Sequence, residues 1–403
     1  MQQIANLIQP GQRIYVAGSS NEPAGLLSAL SECDLPPDLT FIQFPLPGLN
    51  QTDFTQWNNS ASVTTFFMSS ALAKGDASRV NYLPMQMRTT YDYLGSGVDV
   101  YLLQVAYDQD GKLRVGPNVD FHDSVLAQRP LVIAQLNTSL IAPAGAPLMN
   151  PALIDAMYES DVSAPPLGAA KIDEAAQEIG RLVAELIRDG DCLQTGIGAI
   201  PAAILSQLTD KNDLGMHGGL IDDGGMALIQ SGNLTGARKG IDTGRHITGM
   251  ALGSDQLMQW LATRRDVVFR GANHTHEVSV IRQLEGFVSV NSAVEVDLFG
   301  QVNAEVAGGR QISGTGGSVD FMRAAKASKG GRSIVAMNAT ARGGSVSRIV
   351  PKVEMVTALR TDVDTVVTEY GVAQIKDLPN AARAQALIEI AAPQFRDELR
   401  QHC

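Results

Sequence analysis

Apolar and polar positions alternate between two periods along the chain. Short β-branched runs at Arg13 to Ala17, Val98 to Val105, Leu131 to Gln135, Ser333 to Met337 and Asp364 to Thr368 read as buried strands. Helical patterns separate them, and that alternation predicts parallel βαβ units. The clearest helix spans Asp173 to Arg188. There Ala175, Ala176, Ile179, Leu182, Val183, Leu186 and Ile187 recur at i, i+3 and i+4, Glu174, Glu178 and Arg181 face water, and Gly190 is placed to end it.

Just ahead of that helix, Ser163-Ala-Pro-Pro-Leu-Gly168 is the best linker, because consecutive prolines continue neither element. It divides the chain into 1–163 and 169–403. The two halves open alike. A glycine (Gly11 or Gly190) precedes a short strand, a turn of small residues follows, and a proline (Pro23 or Pro201) opens an Ala/Leu helix.

At 403 residues, 44% hydrophobic and 18% charged, the chain can bury a sizeable core, which excludes wholesale disorder. Its 31 Lys and Arg against 42 Asp and Glu give a net charge of −11. That balance argues against nucleic-acid binding, which relies on cations to neutralise phosphates. Anionic ligands remain possible at helix N-termini. Cys33, Cys192 and Cys403 are odd in number and far apart, so neither a disulfide framework nor a zinc site is expected. Neither a secretory leader nor a membrane-spanning run is readable, and the expected setting is the cytoplasm, with no membrane partner.

The strongest local unit is Cys192-Leu-Gln-Thr-Gly-Ile-Gly-Ala-Ile-Pro201. A strand enters Gly196-x-Gly198, and Pro201 suits the first turn of the next helix. Such a turn lets backbone N–H groups face a phosphate or an oxyanion, although an empty strand–helix turn has the same pattern. The third glycine of a dinucleotide fingerprint is absent. A second cluster, Ala307 to Asp320, holds five glycines within ten residues, more than one turn demands. Ahead of it, Val290 to Gln301 alternates like a strand and then turns at Gly300, with Glu295 and Asp297 on the face of Asn291 and Ala293, the bland alternative for both carboxylates being solvent exposure. His274 and His276 would share a face of a strand, but no third ligand stands at a recognisable spacing, so no metal is expected. No GxSxG elbow is present. Cys192 reads as a small core residue rather than a nucleophile.

Five motifs then occur in order: Leu193-Gln-Thr-Gly-Ile-Gly-Ala-Ile-Pro-Ala-Ala-Ile-Leu205, Val290-Asn-Ser-Ala-Val-Glu-Val-Asp-Leu-Phe-Gly-Gln-Val-Asn303, Gly314-Thr-Gly-Gly-Ser-Val-Asp-Phe321, Ser347-Arg-Ile-Val-Pro351 and Val367-Thr-Glu-Tyr-Gly-Val-Ala373. With Gly18-Ser-Ser-Asn-Glu-Pro23 at the start, the chain resembles the acetyl-CoA hydrolase/transferase family, near the 4-hydroxybutyrate CoA-transferase type. The resemblance implies two CoA-transferase-type (NagB/RpiA-like) open α/β domains with mainly parallel sheets and an active site between them. It implies acyl-CoA and a small carboxylic acid as substrates, coenzyme A as the carried group, and a homodimer or higher homo-oligomer. It also implies a ping-pong route through a glutamyl thioester. Transferred by motif, the oxyanion donors are Ile197 and Gly316 or Gly317, and Asn273 is the active-site asparagine. Gly196, Ile197, Gly198, Ala199, Ile200, Gly317, Asn338 and Ala339 contact CoA.

One residue breaks the pattern. The family reads His-x-Glu followed by Asp-Gly, whereas this chain reads Leu214-Gly-Met-His-Gly-Gly-Leu-Ile-Asp-Asp-Gly224. His217, Asp223 and Gly224 keep register, so the nucleophile falls on Gly219, and Gly218 offers no rescue. Three readings follow. Another carboxylate takes over, from Asp222, Asp223, Glu295, Glu22 or Glu305. Or water attacks with Asp222, Asp223 or His217 as base, giving a thioesterase. Or the chain binds CoA without turnover. CoA-thioester chemistry, moving CoA between small carboxylates, is the leading expectation.

Overall fold

In the computed structural model, residues 1–163 and 171–403 are described, so most of the Ser163–Gly168 linker lies outside the described residues. Two compact units result: Met1–Gly168 with Ile247–Thr275 and Ile312–Gly316, and Ala169–His246 with His276–Gln311 and Gly317–Cys403. The units therefore interleave along the chain. Backbone hydrogen bonds explain the first unit's later segments: Ala251 N donates to Pro117 O (2.8 Å), Phe269 N to Gly145 O (3.1 Å), and Met87 N to Gly316 O (3.1 Å).

The first unit is built on an eight-stranded sheet. Its strands are β1 (Arg13–Val16), β2 (Thr40–Gln43), β3 (Ser62–Thr65), β4 (Val80–Tyr82), β5 (Val100–Tyr107), β6 (Leu113–Val115), β7 (Leu131–Asn137) and β8 (Ala156–Ser160). They run in the order β4-β3-β2-β1-β5-β7-β8, all pairs parallel, with β6 added antiparallel on β5. Seven consecutive residues of β5 are buried, as expected of a parallel strand covered on both faces. Helix α1 (Ala24–Ser31) follows β1, with Pro23 immediately before it. Phe41 stacks on Phe54 at 4.6 Å and Trp57 packs edge-on, filling the aromatic part of this core.

The second unit repeats the scheme. Its helix α2 (Glu174–Leu186) starts at Asp173, whose carboxylate accepts from Ala176 N at 2.8 Å. It stops two residues short of Arg188, because Ile187 turns into extended backbone. A sheet of β9 (Cys192–Gln194), β10 (Gly215–Met216), β11 (Phe287–Asn291), β12 (Arg332–Ala336), β13 (Thr365–Thr368) and β14 (Gly371–Gln374) runs in the order β10-β9-β11-β12-β13-β14. Every pair is parallel except the last. Helix α3 (Ala199–Ser206) packs on α2, and Gly180 permits their close approach: a Cβ there would lie 2.8 Å from the Ala203 carbonyl carbon. The expected open α/β architecture with mainly parallel sheets is what forms. No helix among the described residues is long and apolar enough to cross a membrane.

Three expectations about local structure need correction. Val290–Gln301 is not one strand: β11 ends at Asn291, and Glu295–Asp297 pairs in a separate three-stranded sheet. Asp297 is fully buried rather than exposed, and its carboxylate accepts from Phe299 N (3.0 Å), Gln301 N (2.9 Å), Gln301 Nε2 (2.7 Å) and Val353 N (3.4 Å). A carboxylate with four donors stabilises a turn without needing water. His274 and His276 do not share a strand face either, since Ala272–Thr275 forms a helical turn and the two histidines fall in different units.

Two predictions concern stability. Gly180→Leu gains helix propensity worth under about 1 kcal/mol but drives a branched side chain into the Ala203 backbone. Overpacking should win, with a net loss of about 1–3 kcal/mol by urea unfolding; an unchanged midpoint would mean the helices tolerate the volume. Asp120 is 3% exposed, and among the described residues its Oδ1 meets no donor. Burial pushes its carboxyl up to about 7. The fold then keeps a proton that the unfolded chain releases near pH 3.9, so this group's contribution falls as pH rises between about 4 and 7. Asp120→Asn should therefore gain stability over the wild type at pH 8 and lose that advantage toward pH 5. An equal difference at both pH values would show the carboxyl ionised in the fold.

Candidate active site in the second unit

Strand order in the second unit reverses between β9 and β11, since β10, the next in the chain, lies on the far side of β9. Connections leave in opposite directions there, which opens a crevice beyond the carboxyl ends of the strands. Several residues singled out by sequence lie at those ends.

From β9 the chain runs through Thr195 into the Gly196-Ile-Gly198 turn. Gly198 is the N-cap of α3, at φ +113°, a conformation that disfavours any Cβ. A Cβ on Gly196 or Gly198 would meet nothing within 4 Å, so this backbone edge is open to a ligand. Ile197 is exposed, Ala199 and Ile200 form the first turn of α3, and Pro201 follows them as predicted. At the neighbouring strand ends Asn291 Nδ2 donates to Gln194 Oε1 at 3.3 Å, which ties the end of β9 to the end of β11.

β10 delivers His217, Gly218 and Gly219. His217 is fully buried, whereas Gly219 is half-exposed. An ideal Cβ on Gly219 would lie 3.1 Å from His276 Cε1 and 3.2 Å from Nε2, and Phe321 at 4.0 Å is the next neighbour. No carboxylate of the described residues comes within 4 Å of that point. Asp222 is the N-cap of helix α4 (Asp223–Gln230): its Oδ1 accepts from Gly225 N at 2.8 Å, and burial raises its carboxyl above the usual range. Asp223 opens α4 and is half-buried. Glu295 sits in the small separate sheet, accepting from Asn303 Nδ2 (3.0 Å) and Glu354 N (2.9 Å). Glu305 accepts from Thr357 Oγ1 at 2.7 Å.

Gly317 precedes helix α5 (Ser318–Ala327), and a Cβ on it would fall 2.3 Å from His276 Nε2. Beyond β12, Ala339 N donates to Glu369 Oε2 at 2.7 Å, tying the Asn338-Ala339 turn to the residue that follows β13. Cys192 is buried in β9, and burial pushes its thiol up to about 12, which suits a core residue and not a nucleophile. Gly316, Asn273 and Glu22 belong to the first unit. There Ala272 N donates to Asp120 O at 2.8 Å, which anchors the Asn273 turn, and Glu22 is buried, accepting from Gln43 Nε2 at 2.8 Å.

Sequence reasoning missed His276 and Glu369 as site residues. Glu369 lay inside a quoted motif. His276 carried a signal only as half of a metal pair, and its place beside Gly219 comes from packing against Gly317 and Phe321, some forty residues away in sequence.

Residues 253–403 match the acetyl-CoA hydrolase/transferase C-terminal domain. The chain is 39% identical to the 4-hydroxybutyrate coenzyme A transferase of Clostridium kluyveri, over 75% of this chain and 71% of that protein. It is 35% identical to the butyryl-CoA:acetate CoA-transferase of Anaerostipes caccae, over 80% and 74%. Among solved structures, RipA from Yersinia pestis superposes with a TM-score of 0.91 at 29% identity, covering all of this chain and 95% of that one. The 4-hydroxybutyrate CoA-transferase of Porphyromonas gingivalis gives 0.79 at 27% identity, covering 99% and 95%. With two parallel-sheet units and an open Gly-x-Gly turn where the strand order reverses, the chain belongs to the acetyl-CoA hydrolase/transferase family.

Proposed function

We propose that this protein is a CoA-transferase that moves CoA between small carboxylates, with acyl-CoA and a small carboxylic acid as its substrates. The observation that carries the reading is the open Gly196-Ile-Gly198 edge at the strand reversal, in a chain whose relatives are named CoA-transferases. Attack on a thioester places negative charge on its carbonyl oxygen, and backbone N–H groups preset toward that oxygen lower the barrier. Ile197 N–H and Gly317 N–H take that role, one ahead of α3 and one ahead of α5. Gly316 is the alternative to Gly317, and Asn273 is the active-site amide. Gly196 to Ile200, Gly317 and the Asn338-Ala339 turn hold CoA, with Glu369 bracing that turn. Gly219 forms no thioester, and Asp222, Asp223, Glu295 and His217 are the groups nearest in motif for any replacement chemistry. The reading extends to a homodimer or larger homo-oligomer working in the cytoplasm.

The test is exchange of label from acetate into acetyl-CoA, with butyryl-CoA as donor. Acetate-dependent exchange is expected; saturable CoA binding with no exchange would overturn transfer. Gly198→Ala would force the α3 N-cap out of its φ +113° conformation and move the Ile197 N–H. Its kcat should fall by about 10²-fold, the lower range for losing one oxyanion donor. A rate equal to the wild type would remove this turn from the mechanism.

A further inference from the structure

The first unit has a strand-order reversal of its own. β2 lies on one side of β1 and β5 on the other, which opens a crevice at the carboxyl ends of these strands. A cavity of about 510 Å³ lies at this end of the sheet, lined by residues of this unit. Ser20 follows β1, Leu49 follows β2 and Gln104 belongs to β5, while Asp255 and Met258 come from the helix Asp255–Leu261. None of the groups assigned to thioester chemistry lines it. Hydrogen bonds fix which way the Gln104 amide faces. Asn137 Oδ1 accepts from Ser139 N (2.9 Å) and Leu140 N (3.1 Å), so Asn137 Nδ2 is the end that reaches Gln104 Oε1, at 2.8 Å. Gln135 Nε2 donates to the same oxygen at 3.4 Å. Gln104 is 1% exposed, and its Nε2 is the end left without an acceptor among the described residues. Asn21, one residue beyond Ser20, is also 1% exposed, and neither its Oδ1 nor its Nδ2 has a partner among the described residues. The two amides border one point: a Cβ on Gly116 would lie 1.9 Å from Asn21 Oδ1 and 3.4 Å from Gln104 Nε2. Buried amides are nearly always hydrogen-bonded, so unused capacity beside a cavity marks a place where a ligand supplies the missing partner.

The lining also selects the kind of ligand. Among the described residues that form it there is no Lys, Arg or His, and Asp255 alone is charged. A phosphate or a free carboxylate would enter without a counter-charge, and desolvating an unpaired anion is costly. Leu49, Pro117, Leu252 and Met258 give apolar surface that suits a flat ring. Gln104 Nε2–H can meet a ring carbonyl, and the exposed Asp255 carboxylate can accept from hydroxyl groups. We propose that this cavity binds an uncharged nucleoside with a lactam ring, its carbonyl taking the Gln104 Nε2–H and its sugar hydroxyls turned toward Asp255. The volume lies within the range of about 300–1,000 Å³ usual for small-molecule sites. The site goes beyond the CoA-transfer reading and does not depend on it.

The experiment is calorimetry on the full-length protein with uridine, inosine and uridine monophosphate as titrants. Saturable binding of uridine or inosine is expected, with the monophosphate at least about tenfold weaker because its charge finds no cation. Gln104→Met keeps the length of the side chain without the donor, and should weaken nucleoside binding by about tenfold or more. Ile141→Trp narrows the cavity from an exposed position and should weaken binding by a similar factor. Saturating CoA should leave the nucleoside affinity within about threefold of its value alone. No saturable heat with either nucleoside overturns the site, and so does a monophosphate that binds as tightly as uridine. A Gln104→Met affinity within about threefold of the wild type overturns the donor role. If that variant does not fold, an unchanged affinity in Ile141→Trp overturns the cavity as the place of binding. Displacement of the nucleoside by CoA overturns its separation from the thioester site.

Discussion

The position of β9 governs the second unit. Hydrogen-bonded between β10 and β11, this three-residue strand forces the next two connections to depart on opposite sides. The Gly196–Gly198 turn and Gly219 follow strands bordering that reversal, Gly317 opens α5, and the Asn338-Ala339 turn follows β12. The strand is held at its other end as well. Asp191, just before β9, accepts from Arg188 N at 2.7 Å and pairs with Arg332 of β12. A half-buried ion pair of this kind contributes little net stability, but breaking it would leave a charge poorly solvated, so it fixes register more than it adds energy.

Buried polar groups divide into two kinds. Asp297 meets four donors and sets the Phe299–Gln301 turn, and Asp222 caps α4; both carboxylates do local backbone work. Burial shifts Asp120 and His276 toward neutrality, the carboxyl upward and the imidazole downward. Such shifts concentrate where chemistry needs a group of fixed charge state, although structural networks produce them too. For His276 the geometry adds what a shift alone lacks. Its ring lies against two glycines, and a Cβ on Gly317 would fall 2.3 Å from Nε2.

The interleaving of the two units has a simple backbone origin. Residues 247–275 and 312–316 follow the linker in sequence, yet their N–H and C=O groups pair with Pro117, Gly145 and Met87. Buried backbone groups must find partners, and these found them in the first unit's loops. Hydrophobic periodicity carries no trace of such pairing, because it reports which face of an element is buried and not which distant segment supplies its backbone partners.

The five β-branched runs named from sequence all became strands, and Asp173 capped its helix, because burial on both faces and a local cap are written in a few adjacent residues. The family, the α/β class and the open glycine turn were likewise legible, each resting on contiguous motifs. Tertiary structure alone decided the split of Val290–Gln301 between two sheets, the burial of Asp297 and the helical turn around Asn273. It also decided that an imidazole from residue 276 abuts residues 219 and 317. Those outcomes depend on contacts between segments tens of residues apart, where van der Waals exclusion and unmet hydrogen-bond donors, rather than local propensity, select the arrangement.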